Sequence, residues 1–126
     1  IDIKKNFIGE YSVVINDGRK RVKLDPVHWA VQLERLGAGE LLVTSIDNDG
    51  TWEGYDNNLI KSVTNELSIP VIANGGAGSV NHISSVLNHG NSSAAAVGSL
   101  VVYQKQGMGV LVNFPDESVI KKLISV

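Results

Sequence analysis

The sequence predicts an α/β domain: four parallel βα units plus an exposed β-hairpin, together half of a TIM (β/α)8 barrel. Three observations carry this. Short apolar runs alternate with helix-period segments along the chain, the order of parallel βα units. Those runs are apolar throughout, as strands buried on both faces must be. The polar, glycine-bearing segments all follow strand C-terminal ends, the side on which barrels and open α/β sheets carry their sites. A barrel needs eight strands and about 250 residues, so four strands in 126 residues make half of one.

The elements follow in order. Ile1 to Ile3 reads as the tail of a buried strand. Tyr11–Ile15 and Arg19–Lys23 flank Asn16-Asp17-Gly18, and the Asp-Gly pair signals a tight hairpin whose basic second arm faces solvent. Asp25-Pro26 opens a helix, Asp as N-cap and Pro at the first helical position. Val27, Ala30, Val31, Leu33 and Leu36 form its apolar face and Gly37 ends it. Glu40–Ile46 is the next strand, followed by the polar loop Asp47–Thr51. Asp56 caps a helix bearing Leu59, Ile60, Val63 and Leu67. Ile69–Ala73 is a strand, Ser79–His89 a helix, Ser93–Val97 a short strand and Leu100–Tyr103 a brief helix. Met108–Phe114 is apolar and β-like, and Asp116 caps a last helix through Ile124. Residues 1–126 are expected to form one half-barrel domain, a fragment of a longer barrel, with residues 11–23 as a hairpin insertion.

The strongest functional signal is Ala73-Asn74-Gly75-Gly76-Ala77-Gly78. A strand that ends in adjacent glycines and feeds a helix presents backbone N–H groups to an anion, and the helix N-terminus adds positive dipole. Ala94–Ser99 supplies a second glycine-bearing strand end about twenty residues on. In barrels the loops after the last two strands bind one phosphate between them. Gly50, Gly75, Gly76, Gly98 and Ser99 are therefore the candidate phosphate cradle, although glycines also serve ordinary tight turns.

Composition narrows the classes. The formal net charge is −2 and no basic run points to nucleic acid or to a membrane surface. There is no cysteine, so disulfides and zinc–thiolate sites are excluded. No apolar stretch reaches the ~20 residues that span a bilayer, and a cytoplasmic protein is the expectation. His28, His82 and His89 stand on helices without ligand spacing, so neither a metal nor another cofactor is expected.

The run Gly37–Thr51, followed by Gly54-Tyr55-Asp56 and Ile69–Gly78 in the same order, resembles the cyclase subunit family of imidazole glycerol phosphate synthase. The similarity runs from Asp2 to about Ser99 and covers that family's C-terminal half. It implies a (β/α)8 barrel of two similar halves, a glutaminase partner that releases ammonia, and passage of ammonia through the barrel core. It also implies a lyase-type synthase with one catalytic aspartate at the first strand end and another at the fifth. Asp2 matches the fifth; its partner belongs to the half not present in this sequence. The tail departs from the histidine-pathway pattern. Met108–Pro115, with Leu24-Asp25-Pro26-Val27, is similar to a paralogous branch linked to glycosyl amidation in surface-polysaccharide biosynthesis. That branch is the leading expectation, with histidine biosynthesis as the alternative and a non-catalytic phosphate-binding half-barrel as a third reading.

Asp2 is accordingly the candidate general acid/base, against the plainer reading of a loop-capping carboxylate. Asp49 is read as a substrate-loop residue and Asp47 as structural. Thr44 and Asn74 would face the barrel mouth and bind substrate hydroxyls, or only brace loops. The resemblance places Glu40 in a charged ring at the ammonia entrance; otherwise it is a surface ion-pairing residue. Trp52 and Tyr55 either cover the substrate or pack the loop. The expected partners are the glutaminase and a phosphorylated or nucleotide-linked sugar, with no nucleic acid and no membrane. A missing N-terminal half-barrel or a second copy is expected to cover the open edges and sheet face.

Overall fold

The computed structural model of the chain describes residues 1–124. Six strands form one sheet in the order β3-β2-β1-β4-β5-β6. β1 (Asp2–Lys5), β4 (Leu41–Ser45), β5 (Val71–Asn74) and β6 (Ala94–Ala95) are parallel to one another. β2 (Tyr11–Ile15) and β3 (Lys20–Arg21) extend the sheet antiparallel beyond β1. The helices are α1 (Pro26–Arg35), α2 (Asn57–Thr64), α3 (Val80–Asn88), α4 (Ser99–Val102) and α5 (Glu117–Ile124). This mixed α/β arrangement, with βα units in sequence, is that of a partial TIM barrel.

Local chemistry sets the helix starts. The carboxylate of Asp25 accepts from the His28 amide at 2.8 Å, and Pro26 occupies the first turn of α1. Asp56 accepts from the Leu59 amide at 3.1 Å and Ser79 from the His82 amide at 3.3 Å, capping α2 and α3. The Asp25 and Asp56 caps stand where the sequence puts them, whereas Ser79, read as the first residue of a helix, is the cap of α3. The Arg19 amide donates to Asn16 O at 3.1 Å and closes the hairpin turn, whose central residues Asp17 and Gly18 are both at positive φ. Positive φ at both central residues matches the right-handed twist of the flanking strands.

One sheet face is covered by helices. Ile3, Leu41, Val43, Val71 and Ala73 pack there against Ala30, Leu59, Ile60, Val63 and Val86. The other face carries the alternate residues Asp2, Lys4, Leu42, Thr44, Ile72 and Asn74. On that face Leu42 is 45% exposed, while Thr44 and Val14, the partner of Asp2, are buried.

The hairpin at 11–23 joins the sheet: β2 pairs with β1 along four residues, where Val13 and Val14 are buried. Ile15, the turn residues Asn16 and Asp17, and β3 are exposed. One expectation is corrected: Met108–Phe114 is not a strand. It makes one isolated bridge, Tyr103 with Val110, and Met108, Val110, Leu111, Val112 and Phe114 are all exposed. An apolar run becomes a strand only where a neighbouring strand completes its hydrogen bonds, and none lies alongside this one among the described residues.

Candidate functional site

The C-terminal ends of β4, β5 and β6 bring seven predicted residues together. Asp49, Gly50, Asn74, Gly75, Gly76, Gly98 and Ser99 line one small notch of about 20 Å³, completed by Ala77 and Ala96. The space is about that of one water-sized atom. The backbone amides of Gly75, Gly76, Ala77, Gly98 and Ser99 donate to no protein acceptor among the described residues. Unpaired amides gathered at strand-to-helix turns form an anion-binding concavity without any cationic side chain.

The notch is shaped by the loop after β4. The Asn48 and Asp49 amides donate to the Ser45 carbonyl at 3.2 and 3.0 Å, and the Thr51 amide donates to Asn48 O at 3.1 Å. Asn48 Nδ2 donates to Gly54 O at 2.9 Å, and the Gly54 amide donates to Gly76 O at 2.7 Å. This stitching brings the β4 loop hard against the β5 end. Gly75 and Gly76 have φ of +94° and +104°. A Cβ on Gly75 would lie 2.6 Å from Ser45 O, and one on Gly76 only 2.1 Å from Gly54 O. Both glycines are thus demanded by the protein's own backbone as well as by any ligand. Gly98 differs: its Cβ would meet nothing within 4 Å.

Beside the notch, Asp2, Thr44 and Asn74 form a row across β1, β4 and β5, in register and on the open sheet face. Thr44 Oγ1 accepts from Asn74 Nδ2 at 3.2 Å. Asp2 is half-buried. Glu40 precedes β4 and is exposed at the opposite end of the sheet from these loops. The Asp47 carboxylate accepts from the Lys5 amide at 2.7 Å, which ties the β4 loop to the end of β1. Tyr55 is buried, its hydroxyl donating to Ala96 O at 2.7 Å, and burial pushes its pKa up to about 12. It braces the turn that follows β6. Trp52 stays half-buried on the loop with φ of +67°. Each histidine has a local partner: His28 meets Gln32, His82 Nδ1 accepts from the Gly78 amide at 3.2 Å, and His89 meets Ser85.

Sequence reading missed two features. Ala77 and Ala96 line the notch but carry no functional group; their neighbours in the glycine motifs were the available signal. Asp56 was read as a helix cap alone. Its carboxylate also pairs with Lys5 Nζ at 2.8 Å and accepts from the Tyr11 hydroxyl at 2.9 Å, with Lys5 lying 4.9 Å over the Tyr11 ring. Burial pushes the Asp56 carboxyl up, but Lys5, the Leu59 amide and Tyr11 together outweigh it and hold it below the usual range. The same partner raises Lys5. This cluster clamps the β1–β2 pair to the start of α2.

Among the described residues, no helix is long and apolar enough to cross a membrane. Residues 1–107 match the family described as histidine biosynthesis protein. The chain is 48% identical over 103 residues to imidazole glycerol phosphate synthase subunit HisF of Prochlorococcus marinus (strain MIT 9211), covering 80% of this chain and 40% of that protein. It is 42% identical over 111 residues to the subunit of the same name in Syntrophobacter fumaroxidans, covering 88% and 43%. It is 40% identical over 116 residues to a putative imidazole glycerol phosphate synthase subunit hisF2 of Pseudomonas aeruginosa, covering 92% and 46%. The chain spans less than half the length of these relatives. It belongs to the histidine biosynthesis protein family.

Proposed function

We propose, on the premise of that family membership, that the chain supplies half of an ammonia-using cyclase barrel of the imidazole glycerol phosphate synthase type. A partner glutaminase would supply the ammonia, and histidine biosynthesis is the role the relatives' names support. The observation that carries the reading is the set of five unpaired amides around the notch, beside the Asp2–Thr44–Asn74 row at the same strand ends. The amides would hold a substrate phosphate by backbone donation and helix dipole. Asp2 would move protons as ammonia adds and the ring closes, with Thr44 and Asn74 orienting substrate hydroxyls. Asp49 borders the phosphate from the β4 loop. Glu40 would meet ammonia at the far end of the barrel. The face bearing Leu42 would be closed by the other half-barrel or by a second copy.

A second reading, amidation of a sugar in surface-polysaccharide biosynthesis, rests on the tail. Residues 108–126 lie beyond the family match, and Met108–Phe114 takes no regular element there. None of the three relatives named above carries that activity in its name, so it stands behind the histidine-type reading.

The test grafts this chain into the Syntrophobacter relative in place of its matching segment and measures ammonium-dependent formation of imidazole glycerol phosphate. The chimera should turn over, and Asp2→Asn should lower turnover by about 100-fold or more while leaving phosphate affinity intact. A folded chimera that binds phosphate but has no turnover sinks the cyclase reading. Unchanged turnover in Asp2→Asn removes Asp2 from the mechanism.

A further inference from the structure

We propose that His82 is a positioning residue for the anion site: its imidazole latches the loop between β5 and α3, and protonation of the ring releases that loop. The proposal deepens the reading of the notch as a phosphate site and rests on it. Gly75, Gly76 and Ala77 stand in this loop, line the notch and have amides that donate to no protein acceptor among the described residues. Glycine and alanine side chains cannot hold a loop in shape, so what fixes it comes from outside.

Two contacts do so. The Gly54 amide donates to Gly76 O at 2.7 Å, and the Gly78 amide donates to His82 Nδ1 at 3.2 Å. A backbone amide can only donate, so Nδ1 is the unprotonated nitrogen and the neutral ring carries its proton on Nε2. The same ring lies against the β4 loop, since a Cβ on Gly54 would stand 3.4 Å from His82 Cγ. One imidazole therefore touches both loops that meet at the β5 side of the notch, without being among the notch's own walls.

The local sequence explains the contact. Ser79 is the N-cap of α3, and His82 stands three residues later. Glutamate or glutamine at that position reaches back to the N-cap amide and closes a capping box. Here an imidazole reaches back and accepts one residue earlier, from Gly78. The difference matters because a carboxamide accepts at every pH, whereas imidazole is the side chain that gains a proton between about pH 8 and about pH 5. Protonated, Nδ1 becomes a donor facing a donor, and a positive charge stands at a helix N-terminus, where the dipole opposes it. No other ionisable side chain stands between Gly75 and Asn88. Glu53 and Tyr55 line a cavity of about 110 Å³ together with His82. The Tyr55 hydroxyl is engaged with Ala96 O, which leaves Glu53 as the charged neighbour there.

Charge and positioning predict opposite signs. A cation at His82 would draw an anion in more strongly as pH falls, but from a half-buried site outside the notch that pull is screened by salt. Release of the loop would weaken binding as pH falls, because the amides lose their common aim. The hydrogen bond at stake is worth about 5-fold in affinity, so release wins.

The experiment titrates the chain with sulfate by calorimetry from about pH 8 to about pH 5. Sulfate stays dianionic over this range, whereas a phosphate monoester gains a proton near pH ~6. The parent should bind sulfate about 5-fold more weakly at the acid end. His82→Gln keeps an acceptor that does not titrate and should lose the pH dependence. It shares every other titratable group with the parent, so the slope it removes belongs to His82. Amide exchange at Gly78, corrected for the intrinsic effect of pH, should quicken toward acid in the parent and not in His82→Gln. Parent affinity that is flat, or that rises toward acid, overturns the latch alone. So does an equal loss in His82→Gln. No sulfate binding by either protein at any pH overturns the notch reading and the latch with it.

Discussion

The two glycine-bearing strand ends look alike in sequence and differ in the structure. At the β5 end, Gly75, Gly76 and Gly78 are pressed against protein backbone, and a Cβ at any of them would collide with a carbonyl oxygen. At the β6 end, Gly98 is exposed, at negative φ, with nothing near its absent Cβ. One end is glycine because the fold requires it; the other is glycine with space left over. The notch therefore joins a rigid wall, stitched to the β4 loop, and a freer wall that leads into the short α4. A single glycine rule, applied to both, conflates scaffold with ligand contact.

Substitution at the rigid wall should have the largest effect. Gly76→Ala is expected to cost about 3 kcal/mol or more of stability, because the methyl meets Gly54 O at 2.1 Å and φ is +104°. Chemical denaturation should show a lower midpoint. Loss of phosphate binding in this variant would say little about the ligand, since the loop that shapes the notch would shift with it. An unchanged midpoint would mean that the β4 loop yields freely, and the contrast between the two ends would collapse.

Much of this was legible in the sequence for a local reason. Caps at Asp25 and Asp56, the turn at Asn16–Gly18 and the strand end at Asn74 depend on neighbouring residues. What escaped depends on distant ones. The Asp56 clamp joins residues 45 or more positions apart, and the contact between Gly76 and Gly54 needs the loop to fold over the sheet. The charge of Arg19–Lys23 marks that arm as exposed, which β3 is, whereas the burial of Val13 and Val14 comes from pairing with β1. Met108–Phe114 has the composition of a strand but, among the described residues, no strand beside it. Composition reports what a segment would bury, and topology decides whether it can.

Charge tests the cradle without touching its shape. Ser99→Asp places a carboxylate at the first residue of α4, a position that accepts acidic side chains. Stability should stay within ~0.5 kcal/mol. Phosphate affinity should fall about 10-fold or more, since like charge now faces the amides. Calorimetry reads both affinity and stoichiometry. Undiminished affinity would place the anion elsewhere.

Acid should loosen the helix side before the notch. The Asp56 carboxyl is held below its ordinary range in the folded state. Its contribution is therefore complete above the unfolded carboxylate range, near pH 4, and is lost as pH falls through the lower folded value. Asp56→Asn keeps a competent cap but loses the charge facing Lys5, which is itself 41% exposed, so about 1 kcal/mol is expected at neutral pH. Thermal melts from pH 7 to pH 3 should converge for the variant and the parent at the acid end. A constant gap would show that the clamp's worth lies in packing, not in charge.

The smallest effect falls at the freer wall. Gly98 has φ of −121° and ψ of −85°, outside the main wells, so Ala there carries some backbone cost. Replacing glycine also removes disorder from the unfolded chain, worth about 0.4–1 kcal/mol in the opposite direction. The two oppose each other, and Gly98→Ala should change stability by less than about 1 kcal/mol. Its methyl stands in open space at the lip of the notch and would crowd an incoming phosphate. Affinity should drop a few-fold while the fold holds, the reverse of Gly76→Ala. Denaturation and phosphate titration of the two alanine variants in parallel read this directly. If both lose stability and binding together, the β6 end is as rigid as the β5 end, and the division between scaffold and ligand wall is wrong.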